Sequence, residues 1–173
     1  CPHCQTEGKT VGKGIYLTCE ECGVQYELTE TGFLKCVNGE TLISHVPDWY
    51  TWERQRVRVE LLEDTYRLDI PVEIGMLVNT KCIYMVGDGR LVHTKEGFHL
   101  TGCDGQIDYH LKPQASYSLY SDFFWYEIGD MISIGDDKIQ YYCFPKNQEN
   151  IAAKTRLAAE ELYKITKDLK KTK

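Results

Sequence analysis

The chain has 173 residues, 42% of them hydrophobic, and a formal net charge of −6 at pH 7. This length fits one or two domains with a globular core, and the negative charge disfavours nucleic acid as a partner, because phosphate-binding surfaces carry an excess of Lys and Arg. No apolar run reaches 18 residues, so no membrane-spanning segment is predicted, and no signal peptide is visible.

The first 22 residues contain two Cys-x-x-Cys pairs, Cys1 with Cys4 and Cys19 with Cys22. This spacing is typical of a structural zinc site, in which four thiolates complete a tetrahedral shell without an open position. Gly23 permits the left-handed turn that brings the second pair back toward the metal. Two disulfides are the alternative, which we disfavour because thiols in a reducing compartment stay reduced. The sequence therefore predicts one structural zinc ion bound by these four cysteines.

Residues 1–46 are predicted to form a zinc ribbon around this site. Val24, Tyr26 and Leu28 alternate with polar residues, as in a half-buried strand. A module of this size buries little core, so the metal supplies much of its stability. This segment contains three lysines and six glutamates, and this negative balance disfavours the alternative of a nucleic-acid-binding ribbon. His3 is predicted to be exposed rather than to be a fifth ligand.

Residues 47–68 are predicted to form a linker helix. Large apolar residues recur there at helical spacing, namely Trp49, Trp52, Val59, Leu62 and Tyr66. One interpretation is packing of this face onto a neighbouring domain, which we favour because large aromatic side chains at helical spacing usually belong to a core. The other is a surface for a partner protein or a lipid headgroup. Its candidate residues are Trp49, Trp52, Arg54 and Arg58.

Residues 69–173 alternate with period two and are interrupted by turn residues such as those of Gly87-Asp88-Gly89. This pattern predicts seven or so antiparallel strands. The chain then ends in a helix from Gln148 to about Lys170, whose apolar residues step by three and four, with Leu162, Ile165 and Leu169 in its stripe. An antiparallel barrel capped by a C-terminal amphipathic helix resembles the PH or GRAM-type fold. The predicted fold class is therefore mostly β with α (α+β).

A resemblance covers most of the chain and rests on three strings: CPHC…CEECG near the start, HVPDWYTWERQRVR at 45–58, and GRLVHTKEGFHLTG at 89–102. These are similar to the C-terminal region of clostridial proteins of the lysophospholipid or glycerol-3-phosphate acyltransferase-like kind. There, an acyltransferase domain precedes a zinc-ribbon segment and a β-rich tail. The resemblance implies that the catalytic domain is missing here. The start on a predicted zinc ligand instead of Met also suggests a piece of a longer protein.

Acyltransferases of that class use a His-x4-Asp motif, and His99 and Asp104 have this spacing. We do not expect them to be catalytic, because His99 lies in a predicted strand, Asp104 lies in a predicted turn, and the accompanying substrate motifs are absent. A second metal cluster is another alternative. It would make the chain a metal-dependent enzyme that uses His93, His99, Cys103 and His110.

The favoured prediction is a non-catalytic regulatory or docking module with a structural zinc site, belonging to a phospholipid-biosynthesis acyltransferase. Its partner would be another protein or the acyltransferase domain of the parent chain, with a membrane surface as the further alternative and no nucleic acid. The location would be cytoplasmic, at the membrane periphery through the parent protein.

Overall fold

The computed structural model describes residues 1–79, 82–125, 128–146 and 150–171. The chain is α+β, with two antiparallel sheets and two helices among these residues. It divides into two compact units, Cys1–Gln55 and Arg56–Lys173. The division falls inside the first helix, α1 (Val46–Leu62), which begins one residue before the predicted linker helix (47–68) and ends six residues before its predicted end.

The first unit is a four-stranded meander followed by the first part of α1. Its strands, in spatial and chain order, are β1 (Thr10–Lys13), β2 (Tyr16–Cys19), β3 (Gln25–Leu28) and β4 (Leu34–Cys36). Tyr26 lies at the centre of its small core and is only 1% exposed. The Trp49 ring of α1 packs against it in an edge-on arrangement, with the ring centroids 5.4 Å apart. Burial of two large aromatic side chains stabilises a unit that has few other core residues.

The second unit contains a seven-stranded antiparallel sheet and a C-terminal helix. The elements are β5 (Leu68–Asn79), β6 (Cys82–Thr94), β7 (Gly97–Gly102), β8 (Ile107–Leu111), β9 (Tyr120–Trp125), β10 (Gly129–Gly135), β11 (Gln140–Pro145) and α2 (Ala152–Lys171). Their spatial order is β8-β7-β6-β5-β11-β10-β9. One face of this sheet forms the main core, which includes Ile70, Val72, Leu91 and Leu100.

The segment Gly87-Asp88-Gly89, predicted as a turn, instead lies inside β6. The register between β5 and β6 shifts beside Gly87, which marks a bulge. Gly89 pairs with Gly102 of β7, and a Cβ built on either glycine would lie 2.5 Å from the Ile74 side chain. These two glycines therefore provide space for a buried isoleucine. Glycine in a strand often marks a close approach of this kind, which sequence reading confuses with a turn.

The predicted closed barrel is not formed. Strands β8 and β9 are the two edges of the sheet, and no pairing between them occurs among the residues described. The segment that joins them, residues 112–119, contains turns but no strand. A closed barrel requires the two edge strands to pair with each other. Residues 112–119 connect β8 to β9 without adding a strand to the sheet.

Helix α2 packs on β9 and β10, and it also contacts the second part of α1. Leu162 is buried as predicted, and Ile165 is partly buried, but Leu169 is 62% exposed, so the predicted apolar stripe ends before it. Val57 and Leu61 of α1 pack against α2, whereas the predicted Val59 is exposed. Sequence periodicity treats a helix as having one buried face, but α1 uses different faces in its two halves.

The described part of α2 begins at Ala152, and the predicted start at Gln148 lies outside the described residues. Its first turn is capped from the sheet. The Asp130 carboxylate of β10 accepts hydrogen bonds from the backbone N–H groups of Ile151 and Ala152, at 2.9 and 3.2 Å. A carboxylate at this end of a helix satisfies unpaired donors and interacts favourably with the helix dipole.

None of the described helices is both long enough and apolar enough to cross a membrane.

Replacing Asp130 with Ala should destabilise the second unit by about 1 kcal/mol, because it leaves the first N–H groups of α2 without their acceptor. This corresponds to a fall of about 4 °C in its melting temperature. Calorimetry of the full chain measures the change. Asp137→Ala, an exposed aspartate in a turn of the same unit, is the matched control. Equal melting temperatures for the two variants would contradict the role of the cap.

Candidate metal centre

Two turns of similar backbone geometry present the four N-terminal cysteines. The N–H group of Gln5 donates to the carbonyl of Cys1 at 2.8 Å, and that of Gly23 donates to the carbonyl of Cys19 at 2.8 Å. Gln5 and Gly23 both have positive φ, of 61° and 74°. Glycine adopts this conformation without strain, as predicted for Gly23, whereas nothing in the sequence signals the same conformation at Gln5. Each turn directs two thiols toward the other turn.

The four Sγ atoms lie within 4.8 Å of one another. The Sγ atoms of Cys1 and Cys22 are 3.7 Å apart, and so are those of Cys4 and Cys19. A zinc–sulfur bond of about 2.3 Å gives a tetrahedron with edges of about 3.8 Å. The cluster is therefore close enough to hold a metal ion, and its dimensions are compatible with zinc.

All eight cysteines of the chain are free thiols, so the alternative of two N-terminal disulfides is not what the structure contains. Hydrogen bonds from the side chain and backbone of Thr6 lower the pKa of the Cys4 thiol to about 7. A thiol with a lowered pKa more readily reaches the thiolate form, which is the form that binds metal.

His3 is not exposed as predicted but half-buried, and it contributes to packing. Its Nε2 atom lies 2.9 Å from the Tyr26 hydroxyl, and the two rings meet edge to face at 5.9 Å. The hydrogen bond links the first cysteine turn to the core of the unit. His3 thus contributes to positioning the turn, and the four thiols are the candidate ligand set.

The four candidate surface residues of α1 occupy different environments. Trp49 is buried, and its Nε1 atom donates to Glu53 at 3.1 Å. Trp52 is partly buried against the same core. Both tryptophans therefore pack within the core of the first unit. The surface-binding role of the four residues stays a prediction.

The two arginines of that set are engaged with other side chains. The Arg54 guanidinium lies over the Tyr50 ring, 5.2 Å from its centroid, and donates to the Tyr50 hydroxyl. Arg58 forms an ion pair of 3.0 Å with Glu161 of α2, whose side chain is only 4% exposed. A buried carboxylate needs such a partner, so Arg58 has a structural task in the second unit.

The predicted cluster of His93, His99, Cys103 and His110 is not brought together as a set. His93 is 1% exposed, stacks on the Phe98 ring at 3.7 Å, and hydrogen-bonds to the Tyr66 hydroxyl through Nδ1 at 3.0 Å. Burial lowers the pKa of His93 to about 3, so the imidazole is neutral at neutral pH. His93 is therefore a core residue of the second unit.

The Cys103 thiol also lies apart from the histidines and donates to the carbonyl of Val86 at 3.4 Å. His99 and His110, in contrast, are direct cross-strand partners. The Nε2 atom of His99 lies 2.7 Å from Asp108 Oδ1, and hydrogen bonding to this histidine lowers the pKa of the Asp108 carboxyl group. Sequence spacing suggested Asp104 as the partner of His99, but the strand register brings Asp108 to it instead.

Two concave regions of the second unit offer no obvious catalytic pair. One, a cavity of about 230 Å³, includes His93, which is neutral and bonded to Tyr66. The other is a more open depression of about 540 Å³ that includes Asp136. The Asp136 carboxylate accepts bonds from the backbone N–H groups of Lys138 and Ile139, which stabilise its own turn.

No protein-family model, curated protein or solved structure matches this chain.

Replacing Cys19 with Ser should abolish tight zinc binding and unfold the first unit, because structural zinc contributes about 10–16 kcal/mol in small zinc-binding peptides. Elemental analysis after dialysis measures the metal, and circular dichroism with amide exchange follows the two units. Cys36→Ser, a buried cysteine of the same unit outside the cluster, is the control and should retain one zinc. Full zinc content in Cys19→Ser would refute the ligand assignment.

The second unit should lose stability as the pH falls from about 6.5 toward 3. The folded state holds His93 neutral, while the unfolded state takes up a proton below about pH 6.5. The contribution is present above that pH and decreases by about 1.4 kcal/mol for each pH unit below it. His93→Gln should reduce this slope in urea denaturation, relative to His45→Gln in the other unit. Parallel slopes in the two variants would contradict the assignment.

Proposed function

We propose that this chain is a non-catalytic docking module with a structural zinc ribbon, and that it belongs to a cytoplasmic acyltransferase-like protein of phospholipid biosynthesis. The observation that carries the proposal is the closed cluster of four thiols. Four thiolates fill a tetrahedral zinc shell and leave no position for water or substrate, so such a site supports folding and not chemistry.

The architecture of the second unit supports a binding role. Seven antiparallel strands are followed by one amphipathic helix that packs on the sheet, which is the order of elements expected for a PH or GRAM-type unit. Unlike the predicted closed barrel, the sheet has two edge strands, β8 and β9, each of which pairs with only one strand among the residues that the structure describes. We propose that it is a PH-like scaffold that acts by presenting a surface.

The alternative of a metal-dependent enzyme is less well supported. Of its four predicted residues, His93 is enclosed in the core and Cys103 is directed to a backbone carbonyl. His99 and His110 remain, on an exposed sheet face with no described pocket around them. Acyl transfer also needs donors that stabilise an oxyanion beside the base, and an exposed strand pair provides no such enclosure.

The two open edges of the sheet differ in chemistry. Strand β8 exposes Asp108 and His110, and polar groups of this kind protect an edge from pairing. Strand β9 exposes Tyr120 and Phe123, which are 58% and 56% accessible. Aromatic side chains on an unpaired edge suit the addition of a strand from another protein segment. We propose that β9 is the docking edge.

The partner we propose is the acyltransferase domain of the kind of protein that the sequence resembles. The chain has a net charge of −6, which opposes anionic lipid surfaces and nucleic acid by electrostatic repulsion. Apolar contact with a protein domain does not require the chain to overcome this electrostatic repulsion.

A photo-cross-linking amino acid in place of Phe123 should capture an acyltransferase domain of that kind supplied as a separate polypeptide. The same substitution at Lys95, an exposed position in a turn of the same unit, should not capture it. Mass spectrometry of the products identifies the contact. Equal capture at both positions, or none at Phe123, would refute β9 as the docking edge.

Two further measurements separate the alternatives. The chain should not sediment with vesicles that contain phosphatidylserine, and sedimentation that Phe123→Asp abolishes would replace the protein partner by a membrane surface. The chain should also transfer no acyl group from acyl-coenzyme A to glycerol 3-phosphate or a lysophospholipid. Transfer that His99→Ala abolishes would overturn the non-catalytic proposal.

A further inference from the structure

Strand pairing places three metal-binding side chains on the outward face of β7 and β8. His99 and His110 are directly opposite each other in the antiparallel register, and Asp108 lies two residues before His110 on the same face. Side chains at such positions are neighbours because successive residues of a strand alternate between faces. Phe98 and Leu100, which flank His99, point to the core side and are buried.

The ligand atoms of these residues converge. The imidazole rings are stacked, with centroids 3.8 Å apart and planes 14° from parallel. Asp108 Oδ1 lies 2.7 Å from the Nε2 atom of His99 and 3.4 Å from that of His110. The three ligand atoms all lie within 4.8 Å of one another. Both imidazoles thus present the same nitrogen to a single carboxylate oxygen.

This arrangement matches the size of a metal shell. Zinc binds histidine nitrogen at about 2.0–2.1 Å, so two nitrogens on one ion lie at most about 4.2 Å apart. Small rotations of these partly or fully exposed side chains bring the atoms to such distances, while the paired strands hold the backbone positions.

We infer that His99, Asp108 and His110 form a second metal site, which takes one divalent transition-metal ion of the zinc type on the outer face of the sheet. Two imidazole nitrogens and one carboxylate oxygen suit zinc, nickel or copper better than calcium or magnesium, which prefer oxygen ligands. Three protein ligands leave at least one coordination position open. The site is thus unlike the closed cysteine cluster, and it binds more weakly because its ligands are solvent-exposed.

The open coordination position allows the bound ion to contact a further ligand. An exposed ion with a free coordination position accepts water, or a donor side chain from another molecule, without displacing His99 or His110. The site lies on β7 and β8, and β8 is the edge strand opposite to β9. Metal binding at this face and protein docking at β9 are therefore separable properties.

Zinc titration of the full chain tests the inference. The protein is first loaded with zinc and dialysed, so that the cysteine cluster is filled, and zinc is then added in a calorimeter at pH 7.5. We expect a second, weaker equivalent of zinc. His99→Ala and His110→Ala should each weaken it at least tenfold, and Asp108→Asn should weaken it by a smaller factor. His45→Ala, in the other unit, should leave it unchanged.

Nuclear magnetic resonance of the histidine rings provides a second readout, and the melting temperature of each variant confirms its folding. Added zinc should shift the ring signals of His99 and His110 together and leave that of the buried His93 in place.

Two results would overturn the inference. One is the absence of a second equivalent at millimolar zinc. The other is a second equivalent that both histidine variants retain. The exposed thiol of Cys82 is a possible competitor for added zinc, and Cys82→Ser identifies that case, since loss of the second equivalent in this variant alone would also refute the histidine site.

Discussion

The pairing of β5 with β11 is the contact on which the second unit depends. It joins the strands of the sheet that come first and last in the chain, which lie next to each other inside the sheet. The ladder extends from Val72 opposite Pro145 to Leu77 opposite Gln140. Strands β5 to β8 form one meander and β9 to β11 form another, and this ladder makes them a single sheet. It also fixes which strands remain at the edges. The proposed docking edge and the proposed metal site lie at the two ends of an order that this one ladder determines.

The pairings of β6 with β7 and of β7 with β8 show the face to which each histidine points. Alternation along a strand has a period of two, so His93 in β6 and His99 in β7 are assigned to faces only when their registers are known. His93 pairs with Phe98 on the core side, and His99 pairs with His110 on the solvent side. Four residues that look equivalent in the sequence therefore become a core histidine, a separate thiol and an exposed pair. Residue spacing alone does not contain this distinction.

Local patterns predicted the parts of the fold that depend on local chemistry. The two Cys-x-x-Cys pairs predicted a cluster that the structure brings together, because each pair is held by its own short turn. Alternation with period two predicted seven or so antiparallel strands in the later part of the chain, which agrees with the seven-stranded sheet of the described residues. The helical spacing near Trp49 likewise agrees with α1.

The predictions were wrong where the local structure depends on packing between residues that are distant in the sequence. The segment Gly87-Asp88-Gly89 has the composition of a turn, yet it lies inside β6, where the side chain of Ile74, distant in the sequence, occupies the space that a Cβ on Gly89 would need. The two halves of α1 use different faces because they pack within different units. Closure of the sheet depends on how two edge strands meet, and no local property of residues 112–119 reveals it.

The cap that Asp130 provides for α2 has a consequence for the order in which the chain acquires its structure during synthesis. The N–H groups of the first turn find their acceptor on β10, a strand made earlier by the ribosome, and not within the helix. Most of the stability of a helix in a protein comes from the packing of its amphipathic face, so we expect α2 to become persistent only after the sheet is assembled. The emerging C-terminal segment therefore meets a surface that is already in place. Until it docks, the apolar residues of β10 on the core side, such as Ile132 and Ile134, lack the cover that α2 provides and are open to chaperones.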